Sequence, residues 1–205
     1  MLPSQLKKKM TCNLLIPFTK TLCGANKAGV QQHKVFIIRH QDLLPLYEDS
    51  VYDLDDQGVI NLLKPKYRRH FTKIESTRKA ISFVETQTFS DSGVETIENT
   101  FQLGINSFSA ENKNFTASLS GEPVVIIFKL NMGQWVGVGL DGEFELESSV
   151  LTVDETTNNR VLTFKSEVPN MIFEIDAAII ADLITAPVIE TIDGFNYLLD
   201  FSFIN

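Results

Sequence analysis

Alternating apolar and polar residues run through most of the chain beyond residue 80, a pattern typical of half-buried β-strands. In the stretch "VETIENTFQLGINSF", Ile97, Phe101, Leu103 and Ile105 all fall at odd positions, so one face of the strand is apolar. The preceding run "AISFVETQTF" predicts a partner strand, and "SDSG" between them predicts a hairpin turn. The same reasoning predicts strands in "KVFIIR", "SSVLTVD", "RVLTFKS", "NMIFEID" and the final "GFNYLLDFSFIN".

One segment, "SAENKNFTASLSG", departs from alternation and predicts an α-helix. Ser109 is a suitable N-cap, Glu111 lies in the first turn, and Gly121 can end the helix. Phe115 and Leu119 are four residues apart, so they share one helical face. We therefore expect this helix to pack on a sheet.

The run "EPVVIIFKL" that follows is almost wholly apolar, which predicts a central strand covered on both faces. Near the end of the chain, "DAAIIADLI" predicts one or two helical turns with Asp176 as the cap. Together these elements predict a mainly β fold, a two-sheet sandwich or barrel with one flanking α-helix.

The stretch "GQWVGVGLDGEFELESS" combines a turn signal with a ladder of negative charge. Asp141-Gly142 stands between two short alternating runs and predicts a tight β-hairpin. Phe144 and Leu146, in the second run, are expected to face the core. Three glutamates fill the alternate places of that run: Glu143, Glu145 and Glu147.

The region 44–79 shows no sustained period of either kind. Long irregular connections inside compact domains are usually functional or disordered, so we expect a long loop or hairpin arm here. The whole chain, 1–205, is expected to form a single β domain with an N-terminal extension at 1–22. The arm carries a cluster of basic residues: Lys64, Lys66, Arg68 and Arg69.

Composition supports a folded protein, since hydrophobic residues make up 43% of the 205 residues and charged residues 21%. No apolar run approaches the roughly 20 residues of a membrane helix, and "LLIPF" is shorter than a signal-peptide core. These features predict a cytoplasmic product, with Met10 as a possible second start. Cys12 and Cys23 are too few for a disulfide framework or a zinc site and are expected to be free thiols.

The net charge of −8 conceals a split between the two parts of the chain. Residues 1–80 hold 14 basic and 7 acidic residues, a net charge of +7, and residues 81–205 hold 4 and 19, a net charge of −15. Such asymmetry bears on partners rather than on fold. Three interpretations remain open: a basic arm that binds nucleic acid, head-to-tail association of copies, or two simply solvated surfaces.

Sequence motifs for cofactor binding, metal binding or catalysis are weak throughout the chain. "GVGLDG" matches a dinucleotide fingerprint, but a strand rather than a helix is expected to follow it. "DLDDQG" begins like a calcium loop but has Lys64 where the bidentate Glu belongs. His33, His40 and His70 have no metal-ligand spacing, and a Cys–His nucleophile pair lacks local support. We therefore expect no enzyme activity, no cofactor and no metal.

The segment "CGANKAGVQQHKVFIIRHQDL", residues 23–43, resembles the opening of tail-tube-like virion proteins of tailed bacteriophages that infect Bacteroidetes hosts. Both have a Cys, a Gly-containing turn and a short apolar strand. The later order is similar too: a helix, "VVIIFKLNMGQW", "VGVGLDG", a "TVDETTNNRVLTF" hairpin and "DAAIIADLI". The similarity covers roughly residues 20–185. It departs at Ala28-Gly29, where the family often has paired glycines, and in the region 44–80, which has no counterpart.

The resemblance implies a virion structural protein whose hexameric rings stack around a channel for DNA passage. It is expected to be made in the host cytoplasm and to reside in the virion, contacting itself and other virion proteins, with no membrane. DNA would pass without specific binding, and Glu143, Glu145 and Glu147 would face the lumen, since phosphate binding comes from Lys and Arg. The alternative for the ladder is an outer edge strand protected by charge.

On the same resemblance, the basic cluster becomes an inter-subunit arm that meets an acidic neighbour. A head–tail connector, another ring protein or a virion accessory protein remains an alternative function. A nucleic-acid-binding module and a small enzyme with a Cys–His site are less favoured. Tyr67 and Phe71 are few aromatic residues for single-strand binding.

Overall fold

Two β-sheets and two helices make up the part of the chain described by the computed structural model, which covers residues 29–47, 50–76, 81–89, 95–106, 109–153, 158–168 and 172–185. Both sheets are open and they stack face to face around a shared apolar cluster. The predicted mainly β fold and the sandwich architecture are therefore confirmed. The second helix, which the sequence predicted as one or two helical turns, lies near the end of the described residues.

The seven-stranded sheet has the spatial order β2-β3-β11-β8-β7-β1-β4. All its pairs are antiparallel except β11 with β3, which is parallel. Its strands are β1 (Val30–Arg39), β2 (Tyr52–Leu54), β3 (Ile60–Leu63), β4 (Thr72–Lys73), β7 (Val124–Leu130), β8 (Trp135–Val138) and β11 (Phe173–Ile175).

The four-stranded sheet is antiparallel throughout, in the order β5-β6-β10-β9. Phe83, Phe101 and Phe164 stand side by side in register on the face that packs against the larger sheet. The odd positions of β6 from 97 to 105 are buried, as its alternation predicted. The strands of the four-stranded sheet are β5 (Ile81–Phe89), β6 (Glu95–Asn106), β9 (Glu145–Val153) and β10 (Asn158–Val168).

β7 lies inside the seven-stranded sheet and contributes to two apolar clusters. Ile126 and Phe128 join the cluster between the sheets, and Val125 and Ile127 join the cluster on the opposite face. Residues 124–128 are all buried, which confirms the predicted central strand covered on both sides.

The helices cover opposite faces of the seven-stranded sheet. Helix α1 (Ala110–Ser118) begins where predicted, since the Ser109 hydroxyl accepts a hydrogen bond of 3.1 Å from the Asn112 N–H. Its Phe115 and Leu119 pack onto the inter-sheet cluster. Helix α2 (Ala177–Ile184) is capped by Asp176, as predicted, and its Ile180 and Leu183 join the other cluster.

The tight hairpin predicted at Asp141-Gly142 is wrong, because the strands on either side of this turn belong to different sheets. β8 pairs with β7 and β11, whereas β9 pairs with β10. The turn itself forms, and the Gly142 N–H donates to the Gly139 carbonyl at 3.2 Å. Leu140 and Phe144, on either side of the turn, are buried in different clusters. Burying these two side chains separates the flanking strands instead of pairing them.

The region 44–79 contains a hairpin, β2–β3, that is built into the seven-stranded sheet. Ile60, Leu63 and Phe71 are buried there, so apolar burial holds this region to the sheet. The N-terminal extension, Met10, both cysteines, the "SDSG" turn and the C-terminal strand prediction lie outside the described residues.

Candidate functional site

The acidic edge, defined as Glu143, Glu145 and Glu147, runs into the outermost strand of the four-stranded sheet. All three side chains are exposed, while Phe144 between them is fully buried and Leu146 packs against the inter-sheet cluster. The alternation predicted from sequence therefore places the carboxylates on the outside. A register shift opposite Thr163 and Phe164 leaves Glu147 as the extra residue of a β-bulge.

A tight passage between the two sheets positions the acidic edge. Gly139 has a φ of +82°, and a Cβ there would lie 2.2 Å from the Val124 carbonyl oxygen, so only glycine fits. Beyond the turn, the Val124 N–H donates to the Phe144 carbonyl at 2.8 Å. This bond anchors Phe144 to the first residue of β7 and directs the glutamates that flank Phe144 into solvent.

Little positive charge compensates the acidic edge. Lys165 lies opposite Glu145 in register, but its ammonium bonds to Glu98 at 3.1 Å. That hydrogen bond and the charge of Glu98 raise the pKa of Lys165, with smaller contributions from Glu147 and Glu167. One cation therefore serves several carboxylates, and the edge keeps a negative potential.

A small titratable cluster adjoins the start of the acidic edge. Burial and the neighbouring Glu143 raise the pKa of Asp141, against an opposing effect of His40. A His40 ring nitrogen, Nε2, lies 3.1 Å from the Leu140 carbonyl oxygen. Burial, followed by the charge of Asp141, raises the pKa of Tyr52. No local signal could reveal this cluster, since His40 and Asp141 are about a hundred residues apart in sequence.

The basic cluster, defined as Lys64, Lys66, Arg68 and Arg69, lies between β3 and β4, and all four side chains are exposed. The backbone is held down by two hydrogen bonds of 2.8 Å, from the Leu44 N–H to the Lys64 carbonyl and from the Lys66 N–H to the Asp42 carbonyl. The cluster therefore sits on the body of the domain rather than on a projecting arm.

The four basic residues have different partners. Arg69 Nε lies 3.3 Å from a carboxylate oxygen of Asp42, and the Arg68 guanidinium lies 5.3 Å from the centroid of the Tyr67 ring. Lys64 and Lys66 have no carboxylate partner among the described residues.

The short 3₁₀ turn His40–Asp42, which sequence analysis did not single out, links the two charged surfaces. Its His40 contacts the turn that leads into the acidic edge, and its Asp42 forms an ion pair with Arg69 of the basic cluster. Asp42 also accepts a 2.9 Å bond from Arg39 Nε, as an i,i+3 neighbour. The acidic and basic surfaces thus adjoin the same turn.

The other candidates take structural places. The Asp55 carboxylate of the calcium-like sequence accepts bonds from the Gln57 and Val59 N–H groups and so closes the β2–β3 turn. "GVGLDG" is followed by the strand β9 and not by the helix that dinucleotide binding requires. Within the described ranges, no group of three His, Cys, Asp or Glu side chains is placed to hold a metal ion. No helix among those residues is long and apolar enough to cross a membrane.

No protein-family model, curated protein or solved structure matches this chain. Function is therefore inferred from the charged surfaces and sheet edges of the chain itself, together with the resemblance of its sequence pattern.

Proposed function

We propose that this chain is a tail-tube-like virion structural protein that assembles into stacked hexameric rings around a channel for DNA. The observation that carries the proposal is the four-stranded sheet, which among the described residues ends in a long strand at each edge, with the acidic edge on one of them. A sandwich fold alone would not support it, because such folds host many functions.

The two edge strands of this sheet, β5 and β9, are 9 residues long each. Edge strands present unpaired N–H and C=O groups that can pair with another chain. If β5 of one copy pairs with β9 of the next, the contact is heterologous and can close into a ring. Repetition of this contact would join the small sheets of all subunits into one continuous surface.

The outward face of the four-stranded sheet suits a channel wall that does not retain DNA. Lys165 is the basic side chain at its centre, and Glu98 holds it. Phosphate binding depends on Lys and Arg, so this face offers a duplex little attraction. Most of its other side chains are hydroxyls or amides: Ser82, Thr86, Thr88, Thr96, Thr100, Gln102 and Thr163.

The acidic edge fits two roles, and an experiment separates them. As lumen residues, Glu143, Glu145 and Glu147 would keep DNA sliding, so their replacement by Gln should leave assembly intact and slow DNA release. As edge protection, they would keep free subunits from pairing in error. The triple Gln variant would then aggregate before rings form, which static light scattering of fresh monomer detects.

Lys64 and Lys66 supply the proposed contact between copies, since both are exposed and unpaired with carboxylates among the described residues. Their partner would be the acidic part of a neighbouring copy, and such contacts set register more than affinity. Assembly should then weaken as salt rises. Unchanged assembly after Lys64, Lys66, Arg68 and Arg69 are all replaced by Glu would contradict this contact.

Electron microscopy of the purified protein at low and high salt tests the proposal directly. Stacked rings with an open channel, on the order of 20 Å or wider against a duplex groove of about 12 Å, support a tail tube. Single rings that do not stack support the alternative of a head–tail connector. Particles that stay monomeric at every concentration, with or without preformed virion complexes as templates, contradict both.

A further inference from the structure

A cavity of about 300 Å³ opens between the end of β1, the segment before β4 and helix α1. Its charged lining residues are three arginines, Arg39, Arg68 and Arg69, and one acid, Asp42. The wall therefore has an excess of positive charge in a chain whose net charge is −8.

Asp42 orients two of the three guanidinium groups. Its side chain is only 15% exposed, and its two oxygens meet Arg39 Nε at 2.9 Å and Arg69 Nε at 3.3 Å. Among the described residues neither arginine has a second carboxylate partner. Shared use of one carboxylate leaves positive charge unbalanced in the cavity, with both planar groups held in place.

Arg68 adds the third guanidinium in an uncommon backbone conformation. Its φ of +63° makes it the one non-glycine residue with positive φ in the described part of the chain. Such conformations cost free energy and concentrate at binding sites. Stacking on the ring of Tyr67, at 5.3 Å, restricts the Arg68 side chain at the rim.

The lining residues other than the arginines and Asp42 also suit a polar ligand. His70 lines the cavity, and its Nδ1 is buried without a hydrogen-bond partner among the described residues. Thr72 contributes a hydroxyl group, whereas the Ser118 hydroxyl already donates to the Phe115 carbonyl at 2.7 Å. Helix α1 presents its C-terminal end here, so its dipole does not attract an anion, and the attraction must come from the arginines.

From this arrangement we propose that the cavity binds a tetrahedral oxyanion of the phosphate class. Guanidinium groups bind phosphate through paired N–H bonds. Three arginines against one carboxylate match a phosphate, with its charge of about −1.5 to −2, better than a single carboxylate ligand. The cavity shares Arg68 and Arg69 with the basic cluster, whereas Lys64 and Lys66, which supply the proposed contact between copies, do not line it.

The test is a titration of the full chain with inorganic phosphate at constant ionic strength, followed by isothermal calorimetry and by the melting temperature. Sulfate serves as a second tetrahedral anion and acetate as a carboxylate. We expect phosphate and sulfate to bind and to raise the melting temperature, and acetate to do neither. Equal effects of acetate, or no binding of phosphate, would overturn the proposal.

Matched variants locate the site. Arg39→Gln with Arg69→Gln should weaken phosphate binding by about tenfold or more, since each arginine supplies charged hydrogen bonds. Lys64→Gln with Lys66→Gln removes the same charge outside the cavity and should bind phosphate normally. Equal weakening in both pairs would mean general electrostatic attraction and would overturn the site.

Two additions guard against misfolding and identify the source of the phosphate. Arg69→Lys keeps the positive charge and leaves Asp42 with a cationic partner, so the variant should fold. Because it loses the planar guanidinium group, it should bind phosphate more weakly than the original chain. Unchanged phosphate affinity in a folded Arg69→Lys would count against bidentate binding. A short DNA duplex whose binding also falls in the Arg39 and Arg69 pair would assign the site to a nucleic-acid backbone, and phosphate binding without duplex binding would assign it to free phosphate.

Discussion

In the part of the chain that the structure describes, the seven-stranded sheet is covered on both faces, whereas the four-stranded sheet is covered on one. In β7 of the larger sheet, side chains alternate between two apolar clusters, so residues 124–128 form an unbroken buried run. In β5 and β6 of the smaller sheet, most outward positions are polar, and Val84 is an exposed exception. The larger sheet therefore contributes to both apolar clusters, whereas the smaller one contributes to one cluster and ends, among the described residues, in two edge strands with no further strand paired to them.

The largest expected effect sharpens this difference in burial. Phe128 is fully buried and contacts the rings of Phe83 and Phe101 in the other sheet, at 5.6 and 5.2 Å. Phe128→Ala should lower the free energy of unfolding by about 4 kcal/mol, through lost burial and a cavity. Val84→Ala, on the exposed face of β5, should change it by about 0.5 kcal/mol or less. Urea unfolding followed by circular dichroism measures both, and similar losses would contradict one-sided burial of the smaller sheet.

The passage between the sheets is the next most sensitive point. Gly139→Ala should cost about 3 kcal/mol, because the new methyl group meets the Val124 carbonyl and the backbone has positive φ. Gly133→Ala, also at positive φ but with open space around its Cβ position, should cost about 1 kcal/mol. The difference in their urea midpoints isolates the steric contact, and equal costs would mean that the passage can widen.

The helix caps test whether both faces of the larger sheet need their covering helix. Ser109→Ala removes the cap of α1, and Asp176→Ala removes the cap of α2. Each should cost about 1 kcal/mol of unfolding free energy. Asp56→Ala, at an exposed turn position, serves as a control for loss of a small polar group. If one cap variant behaves like this control, the corresponding helix contributes little to covering the sheet.

The smallest expected effect concerns Asp141, at the passage into the smaller sheet. Burial and Glu143 raise the pKa of this carboxyl above its usual 3.8, so the folded state binds its proton more tightly than the unfolded state. Stability therefore falls as the pH rises from about 3.8 through the raised pKa, and stays lower at neutral pH.

Asp141→Asn should remove this loss of stability at neutral pH. Because the side chain remains exposed to solvent, the gain at pH 7 should be about 0.3 kcal/mol, and it should vanish at low pH. Asp56→Asn removes the same charge from the β2–β3 turn as a control. Melting temperatures from pH 3 to pH 8, a range that includes carboxyl titration, show the trend. A variant less stable than the original at pH 7 would contradict the sign.

Much of the fold was predictable because its signals are local. The odd-position burial in β6, the buried run of β7 and the caps at Ser109 and Asp176 all depend on residues a few positions apart. The exposed glutamates of the acidic edge follow from the same alternation. The wrong hairpin at Asp141-Gly142 shows the limit, since a turn sequence specifies a turn but not the sheet that the next strand joins.

The sequence by itself determined β1, the strands beyond residue 80, both helices and which of their side chains face the core, because backbone periodicity sets these over a few residues. Only the tertiary structure decided that β8 and β9 separate into different sheets, because Leu140 and Phe144 are buried in different clusters. It also brought Arg69 to the Arg39–Asp42 pair and His40 to the turn before the acidic edge. Those contacts join segments distant in sequence, and their geometry depends on how the two sheets pack.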